Sequence, residues 1–343
     1  LIAALRARGH EIEVVAGHGA QNLPDESEWE GVAVHRFAFR AALETRNVGE
    51  ILRIKRKIAA LKARFSPQIV HFNLSDPSLF FHLQTPFPNE KTLLTLEVAP
   101  PEIVADENSV LGRALRESAW IAARSEAILG DLHRLAPFCA PKSSLIYNGF
   151  PFPDLAPAPL PFSPPTILCL GRVVRDKGFD LAISALPELR AQFPEIQLLV
   201  AGDGAARPEL ETLAHTLGVS QCTQFLGWVA PENVPQLLNR ATILAVPSRW
   251  REAFGLVALQ GAQMARPVVA TSVGGLPEVV RNGITGALIS PENPTELARA
   301  LLELLQNPAR ATQLGQAARR DAQTRFSFAA YVAAHEQLYT RLA

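Results

Sequence analysis

The chain has 343 residues, 48% of them hydrophobic and 19% charged, with Lys+Arg and Asp+Glu equal at 33 each. That length predicts about two domains rather than one core. The charge balance excludes a global pull toward nucleic acid or an anionic membrane, so any anion site must be local. In chain order, Leu1 to Gly9 (LIAALRARG) reads as the last turns of an amphipathic helix, and a strand follows at Glu11–Ala16. A Rossmann-like domain that opens this way is expected to lack its first strand and first glycine-rich loop. Short apolar runs then alternate with segments of helical period, the pattern of an α/β protein with parallel sheets. Strands are predicted at Val32–Phe37, Gln68–Phe72, Thr92–Leu96, Trp120–Ala123 and Ser144–Tyr147, with helices at Glu50–Phe65 and Pro77–Leu83. Proline recurs too often for helix or central strand across Phe150 to Pro165 (FPFPDLAPAPLPFSPP), which is the predicted linker. Beyond it, strands are predicted at Thr166–Leu170, Gln197–Ala201, Thr223–Leu226, Ile243–Pro247, Val268–Thr271 and Gly286–Ile289.

This organisation predicts a first Rossmann-like domain over 1–155, a second over 156–327, and a terminal helix, 328–343, packing back toward the first. The two domains are expected to face each other across a cleft at the carboxyl ends of their strands, where open α/β sheets bind ligands. Cys139, Cys169 and Cys222 are odd in number and far apart, which fits free thiols in a cytoplasmic protein better than a disulfide framework or a zinc site. No apolar run approaches the roughly 18–20 residues of a membrane span, and the opening residues do not read as a signal peptide. The segment Ile51–Phe65 carries Arg53, Lys55, Arg56, Lys57, Lys62 and Arg64. It reads either as a basic face for peripheral membrane contact or as a solvated helix surface. The second reading is preferred, because the cations point around much of the helix.

Three segments of the second half bear on anion chemistry. After the strand ending at Leu170, Gly171 permits a tight turn, and Arg172 and Lys177 bracket the loop before a helix expected to start near Asp176. Such a pair can hold the charge of a departing diphosphate without a metal; taken alone, it reads equally as two surface cations. The stretch Leu199–Gly204 (LVAGDG) ends a buried strand in glycines, with Gly202 suited either to close approach of a nucleotide or to a plain tight turn. G-x-G-x-x-G fails there because Arg207 occupies the third glycine's place, so nicotinamide binding is poorly supported. The third segment, Ala245 to Ala270, is the most specific. A polar loop presents Glu252, Gly255 precedes a helix over Leu256 to Met264, and the unpaired amides at Leu256 and Val257 form an anion site. Gln260, more than one turn in, is placed to reach a ribose hydroxyl. Glu278, after Gly274-Gly275, is expected to cap its own helix start rather than to orient Arg172 or Lys177.

LGRVVRDKG, VAGDG, FLGWV, PSRWREAFGLVAL, RPVVAT, VGGLPEVV and NGITG resemble, in order and spacing, the donor domain of family 4 glycosyltransferases. ARGHEIEVV, PQIVHF, IAARSEAILGDL and SLIYNGF resemble its first domain more loosely. The resemblance implies the GT-B architecture, with a retaining transfer of sugar from a UDP- or GDP-sugar to a glycan, lipid or small-molecule acceptor and with no metal or other cofactor. It puts diphosphate binding on Arg172 and Lys177, the catalytic sugar contact on Glu252, and the base on the backbone around Trp228 and Val229. Two departures stand out. Gln260 replaces the second Glu of the family's E-x7-E motif, and Glu97 stands where the family often has a His against the donor sugar. His71, on the preceding strand, is a candidate to face the same cleft or a satisfied core histidine. Phosphorylase-like or epimerase-like chemistry on the same architecture, or non-catalytic nucleotide-sugar binding, are the alternative readings. A Glu252→Gln change is expected to abolish transfer while keeping nucleotide affinity.

Overall fold

Strands and helices alternate from end to end in the computed structural model, which describes residues 1–19, 23–73, 77–101, 106 and 108–343. The chain forms two units. The first comprises Leu1–Arg124, Ile128–Ile146 and Ala329–Ala343, and the second Ser125–Ala127 and Tyr147–Phe328.

The elements run α1 (Ile2–Arg6), β1 (Val14–Gly17), β2 (Glu26–Trp29), β3 (Val32–Phe37), α2 (Phe39–Glu44), α3 (Val48–Phe65), β4 (Ile69–Phe72), α4 (Ser78–Leu83), β5 (Lys91–Leu96), α5 (Val110–Glu117), β6 (Trp120–Ala123), α6 (Glu126–Leu135) and β7 (Ser143–Leu145). Strands β4-β5-β6-β7 form a parallel sheet, and β1-β3-β2 a smaller one. The sequence does not announce β2. It is short, mostly exposed and charged, and it pairs antiparallel with β3. Glu30 and Gly31, both at positive φ, supply the tight hairpin turn that this pairing needs.

Helix α3 shows what becomes of the basic run. Asn47 accepts from the Glu50 amide at 3.1 Å and caps the helix start. Arg53 pairs with Glu50 and Arg64 with Glu13. Lys62 is buried, donating to Glu90 Oε1 and the Thr85 carbonyl at 2.7 Å each and lying 2.9 Å from His82 Nδ1. One of the six cations is thus an interior group.

The second unit continues with β8 (Thr166–Leu170), α7 (Phe179–Gln192), β9 (Gln197–Ala201), α8 (Arg207–Thr216), β10 (Thr223–Gly227), α9 (Val234–Asn239), β11 (Ile243–Val246), α10 (Leu256–Gln263), β12 (Val268–Thr271), α11 (Leu276–Val279), β13 (Gly286–Ile289), α12 (Pro294–Gln306) and α13 (Pro308–Arg325). Its six-stranded sheet is ordered β10-β9-β8-β11-β12-β13 and every pairing is parallel. The central strands are buried on both faces, so they read as continuous apolar runs. Alternate residues serve opposite layers. Ile167, Cys169, Leu198, Val200 and Ile243 pack with α7, α8 and α12, while Leu168, Leu199, Leu244 and Val246 pack with α9, α10 and α11. Asn293-Pro294 and Asn307-Pro308 start α12 and α13, each Asn side chain accepting an amide of the first turn.

The proline-rich stretch, predicted as a linker, packs against the second unit. Phe150 and Phe152 pack on one apolar layer of the second unit, Leu160 and Phe162 on the other. The buried Arg266 guanidinium donates to the carbonyls of Met264, Ala241 and Ala158, and Thr242 donates to that of Pro161. Proline removes amides but leaves carbonyls as acceptors, and these donors take them up; burial pushes the Arg266 pKa down to about 10. The chain passes from the first unit to the second between Ile146 and Tyr147. The last helix, α14 (Phe328–Leu342), contributes Leu338, Tyr331, Tyr339 and Leu342 to the core around Leu93 and Ala122 of the first unit.

Candidate functional site

The chain order of the second sheet reverses between β8 and β11, because β9 and β10 extend to one side of β8 while β11 to β13 extend to the other. Parallel sheets open a crevice at the carboxyl ends of strands at such a switch point. Two loops supply it here. After β8 the chain turns at Gly171, passes Arg172, and forms a single helical turn at Arg175–Lys177 before Gly178 and α7. The predicted helix start near Asp176 is this short turn, and α7 proper begins at Phe179. After β11 come Pro247, Ser248, Arg249 and Trp250, then Glu252, and Gly255 at the start of α10.

Lys177 Nζ donates to Glu252 Oε1 at 2.5 Å, and Ser248 Oγ donates to the same oxygen at 2.6 Å. The Lys177 and Glu252 side chains are 23% and 19% exposed, so the pair is shielded but within reach of a ligand. The backbones bearing these side chains lie too close for anything but glycine. A Cβ on Gly178 would sit 2.0 Å from the Pro247 carbonyl oxygen, and one on Gly274, whose φ is +55, would sit 2.1 Å from that of Glu252. The Gly275 amide donates to the Glu252 carbonyl at 2.8 Å. Arg249 clamps the two loops from behind, donating to both carboxylate oxygens of Asp180 at 2.5 and 2.6 Å and to Glu292 at 2.7 Å.

No side chain among the described residues caps α10, whose N-cap Gly255 has φ +100. Intrahelical bonding begins with the Leu259 amide donating to the Gly255 carbonyl, so the amides of Leu256 and Val257, at the positive end of the helix dipole, have no acceptor among the described residues. Gln260 lies one turn further along, half-buried. Toward the other side of the sheet the loops are tied through backbone. Gly171 donates to Ala201 at 2.9 Å and Gly202 to Gly227 at 2.7 Å; Trp228 follows, 73% exposed, with Val229 half-buried. Arg172 is exposed and makes no side-chain hydrogen bond or ion pair among the described residues.

The structure therefore joins Lys177 to Glu252, in the loop that leads into α10, and it joins Gly171 to Gly202. Glu278 departs from the cap expected of it. Its carboxylate accepts the amides of Glu126 and Ala127 at 2.8 and 3.1 Å, residues that belong to the same unit. In the first unit, His71 is fully partnered, with Nδ1 at 2.6 Å from the Tyr339 hydroxyl and Nε2 at 2.7 Å from Thr95 Oγ1. Burial, with smaller contributions from His335 and Arg124, lowers its pKa to about 3, which keeps the ring neutral. Glu97 accepts from Arg124 Nε at 2.9 Å, and Arg124 is 2% exposed, so Glu97 is the counter-ion of a buried guanidinium. Sequence reasoning assigned no role to Ser248, Arg249 or Asp180. Asp180 and Arg249 are 69 positions apart, and only their loops' convergence shows the pairing.

Two Rossmann-like units, one with a strand-order switch point, define an α/β protein of the GT-B class. Two family models match it: Glycosyltransferase Family 4 over residues 1–152 and Glycosyl transferases group 1 over residues 156–321. The chain belongs to glycosyltransferase family 4. It is similar to the glycogen synthase of Mycobacterium tuberculosis, 36% identical over 176 residues that make up 51% of this chain and 42% of that protein. It is also similar to the D-inositol 3-phosphate glycosyltransferase of Corynebacterium jeikeium, 37% identical over 190 residues, 53% of this chain and 45% of that protein. The chain thus spans less than half the length of these curated relatives. Among solved structures, the sucrose-phosphate synthase of Thermosynechococcus elongatus superposes with a TM-score of 0.82 at 25% identity, covering 99% of this chain and 90% of that one.

Proposed function

We propose that this protein transfers a sugar, with retention at the anomeric carbon, from a UDP- or GDP-sugar to a glycan, lipid or small-molecule acceptor. The observation that carries the reading is the Lys177–Glu252 pair at the switch point, beside the uncapped start of α10. As the glycosidic bond breaks, negative charge builds on the departing diphosphate. Lys177, Arg172 and the Leu256 and Val257 amides are fixed donors for it, so the reaction needs no divalent metal. Glu252 stands at the sugar end of that site as the catalytic carboxylate. The tied loops Gly171, Gly202 and Gly227–Val229 lead away from it to the edge strand β10, three strand spacings or roughly 14 Å from β11, a span that suits an extended nucleotide. Trp228 and Val229 then hold the base and Gln260 the ribose. The names borne by the relatives support glycosyl transfer.

The first unit is assigned to the acceptor, and the location to the cytoplasm, where the three free, buried cysteines stay reduced. No helix among the described residues is long and apolar enough to cross a membrane. The test is release of nucleoside diphosphate from UDP- and GDP-sugars by the full chain, in chelator, with a panel of acceptors. Release that persists in chelator supports the proposal. Nucleotide binding without release from any donor would make the chain a binding module instead, and release that stops in chelator would return the leaving-group charge to a metal.

A further inference from the structure

Lys177 sits in a three-residue turn that has no side-chain cap of its own, and a turn of that length does not hold a lysine still. The restraint comes from the loop after β11. The Arg249 and Trp250 amides donate to the Asp176 carbonyl at 2.8 and 3.4 Å, and Arg249 Nη1 donates to that of Arg175 at 3.2 Å. The same guanidinium grips Asp180, in the first turn of α7, through two parallel bonds. Arg249 is 17% exposed and Asp180 33%, whereas its other partner, Glu292, is 60% exposed and contributes little in water. Hydrogen bonding to Asp180, more than to Glu292, raises the Arg249 pKa above its ordinary value despite burial. Planar two-point recognition of a carboxylate belongs to arginine and not to lysine.

We infer that Arg249 is a positioning residue for diphosphate recognition. Its side chain fastens the Arg175 carbonyl, before Lys177, and the Asp180 carboxylate, after it, to the loop that carries Glu252, three residues downstream of itself, and so aims the ammonium at the anion site. This rests on the assignment of Lys177 to the diphosphate. Arg249 acts through Lys177, and the consequence is a dependence between the two that a merely structural clamp does not produce.

The experiment is a double-mutant cycle read by calorimetric titration of the full chain with UDP and GDP. Arg249→Ala is expected to weaken binding about tenfold, the scale of one charge-assisted hydrogen bond, when Lys177 is present, and to add nothing in a Lys177→Ala background. Arg249→Lys, lacking the fork, should keep most of the loss. Equal losses in both backgrounds, or no loss in either, would overturn the inference. Unchanged affinity in Lys177→Ala alone would overturn the diphosphate assignment, an outcome visible independently of the Arg249 arm. Should Arg249→Ala not fold, Asp180→Asn leaves the guanidinium in place, removes half the grip, and is read in the same cycle.

Discussion

Replacing Glu252 by Gln tests how charge is used at the switch point. In the structure the carboxylate already occupies Lys177, the cation assigned to the diphosphate. An incoming nucleotide must therefore share Lys177 with a fixed anion and sit near that anion's charge. Two unit charges about 4 Å apart interact by about 4 kcal/mol at an effective dielectric near 20. With both side chains about one-fifth exposed and screened by salt, a net effect on binding of about 1 kcal/mol is reasonable, or roughly fivefold. Glu252→Gln keeps an amide that can still accept from Ser248 but ends the competition, so UDP or GDP should bind about fivefold tighter, where sequence reasoning expected unchanged affinity. Transfer should fall by about 100-fold to 1000-fold, the scale of losing one electrostatic contact to a transition state. Calorimetry and a nucleotide-release assay on the same preparation measure both. Weaker nucleotide binding, or unchanged turnover, would refute the reasoning.

Other expectations follow from particular contacts. Gly274→Ala places a Cβ 2.1 Å from the Glu252 carbonyl oxygen at φ +55; it should cost about 2 kcal/mol or more and reduce transfer beyond what the fraction folded explains, by denaturant titration and rate on one sample. Lys62→Ala leaves Glu90, 7% exposed, without its buried counter-ion and should destabilise the protein by about 3–5 kcal/mol, whereas Lys62→Met with Glu90→Leu should cost much less in urea unfolding. His82, lowered to about 3 by burial and then by the Lys62 charge, is neutral when folded but titrates near 6.5 when unfolded. Its contribution is complete above pH 6.5 and is lost as pH falls toward 3, at about 1.4 kcal/mol per pH unit. His82→Gln should accordingly flatten the slope of unfolding free energy between pH 6 and 4 by about one proton, and an unchanged slope would count against the assignment.

Much of the second unit was legible in the residues. Buried parallel strands are continuous apolar runs, and Thr166–Leu170, Gln197–Ala201, Val268–Thr271 and Gly286–Ile289 end where they were predicted to end. The glycine turns after β8 and before α10 follow from the same local logic, as does the last helix at Phe328–Leu342. Strand β2 escaped because an exposed edge strand needs no apolar alternation, and its sequence, Glu26–Trp29, offers none. The prolines of 150–165 announced irregular backbone correctly, but not that Arg266 and Thr242 would fasten it to the second unit.

The sequence by itself determined the α/β alternation, the family, and which residue types reach the carboxyl edge of the second unit's sheet, since each depends on neighbours in the chain. The tertiary structure alone decided which of those residues meet. Glu252 lies against Lys177 across 75 positions, Arg249 grips Asp180 across 69, and Lys62 turns inward to Glu90 instead of facing water. An ion pair's strength depends on distance and burial, and both are fixed by how the strands order themselves in the sheet, which no local pattern of residues records.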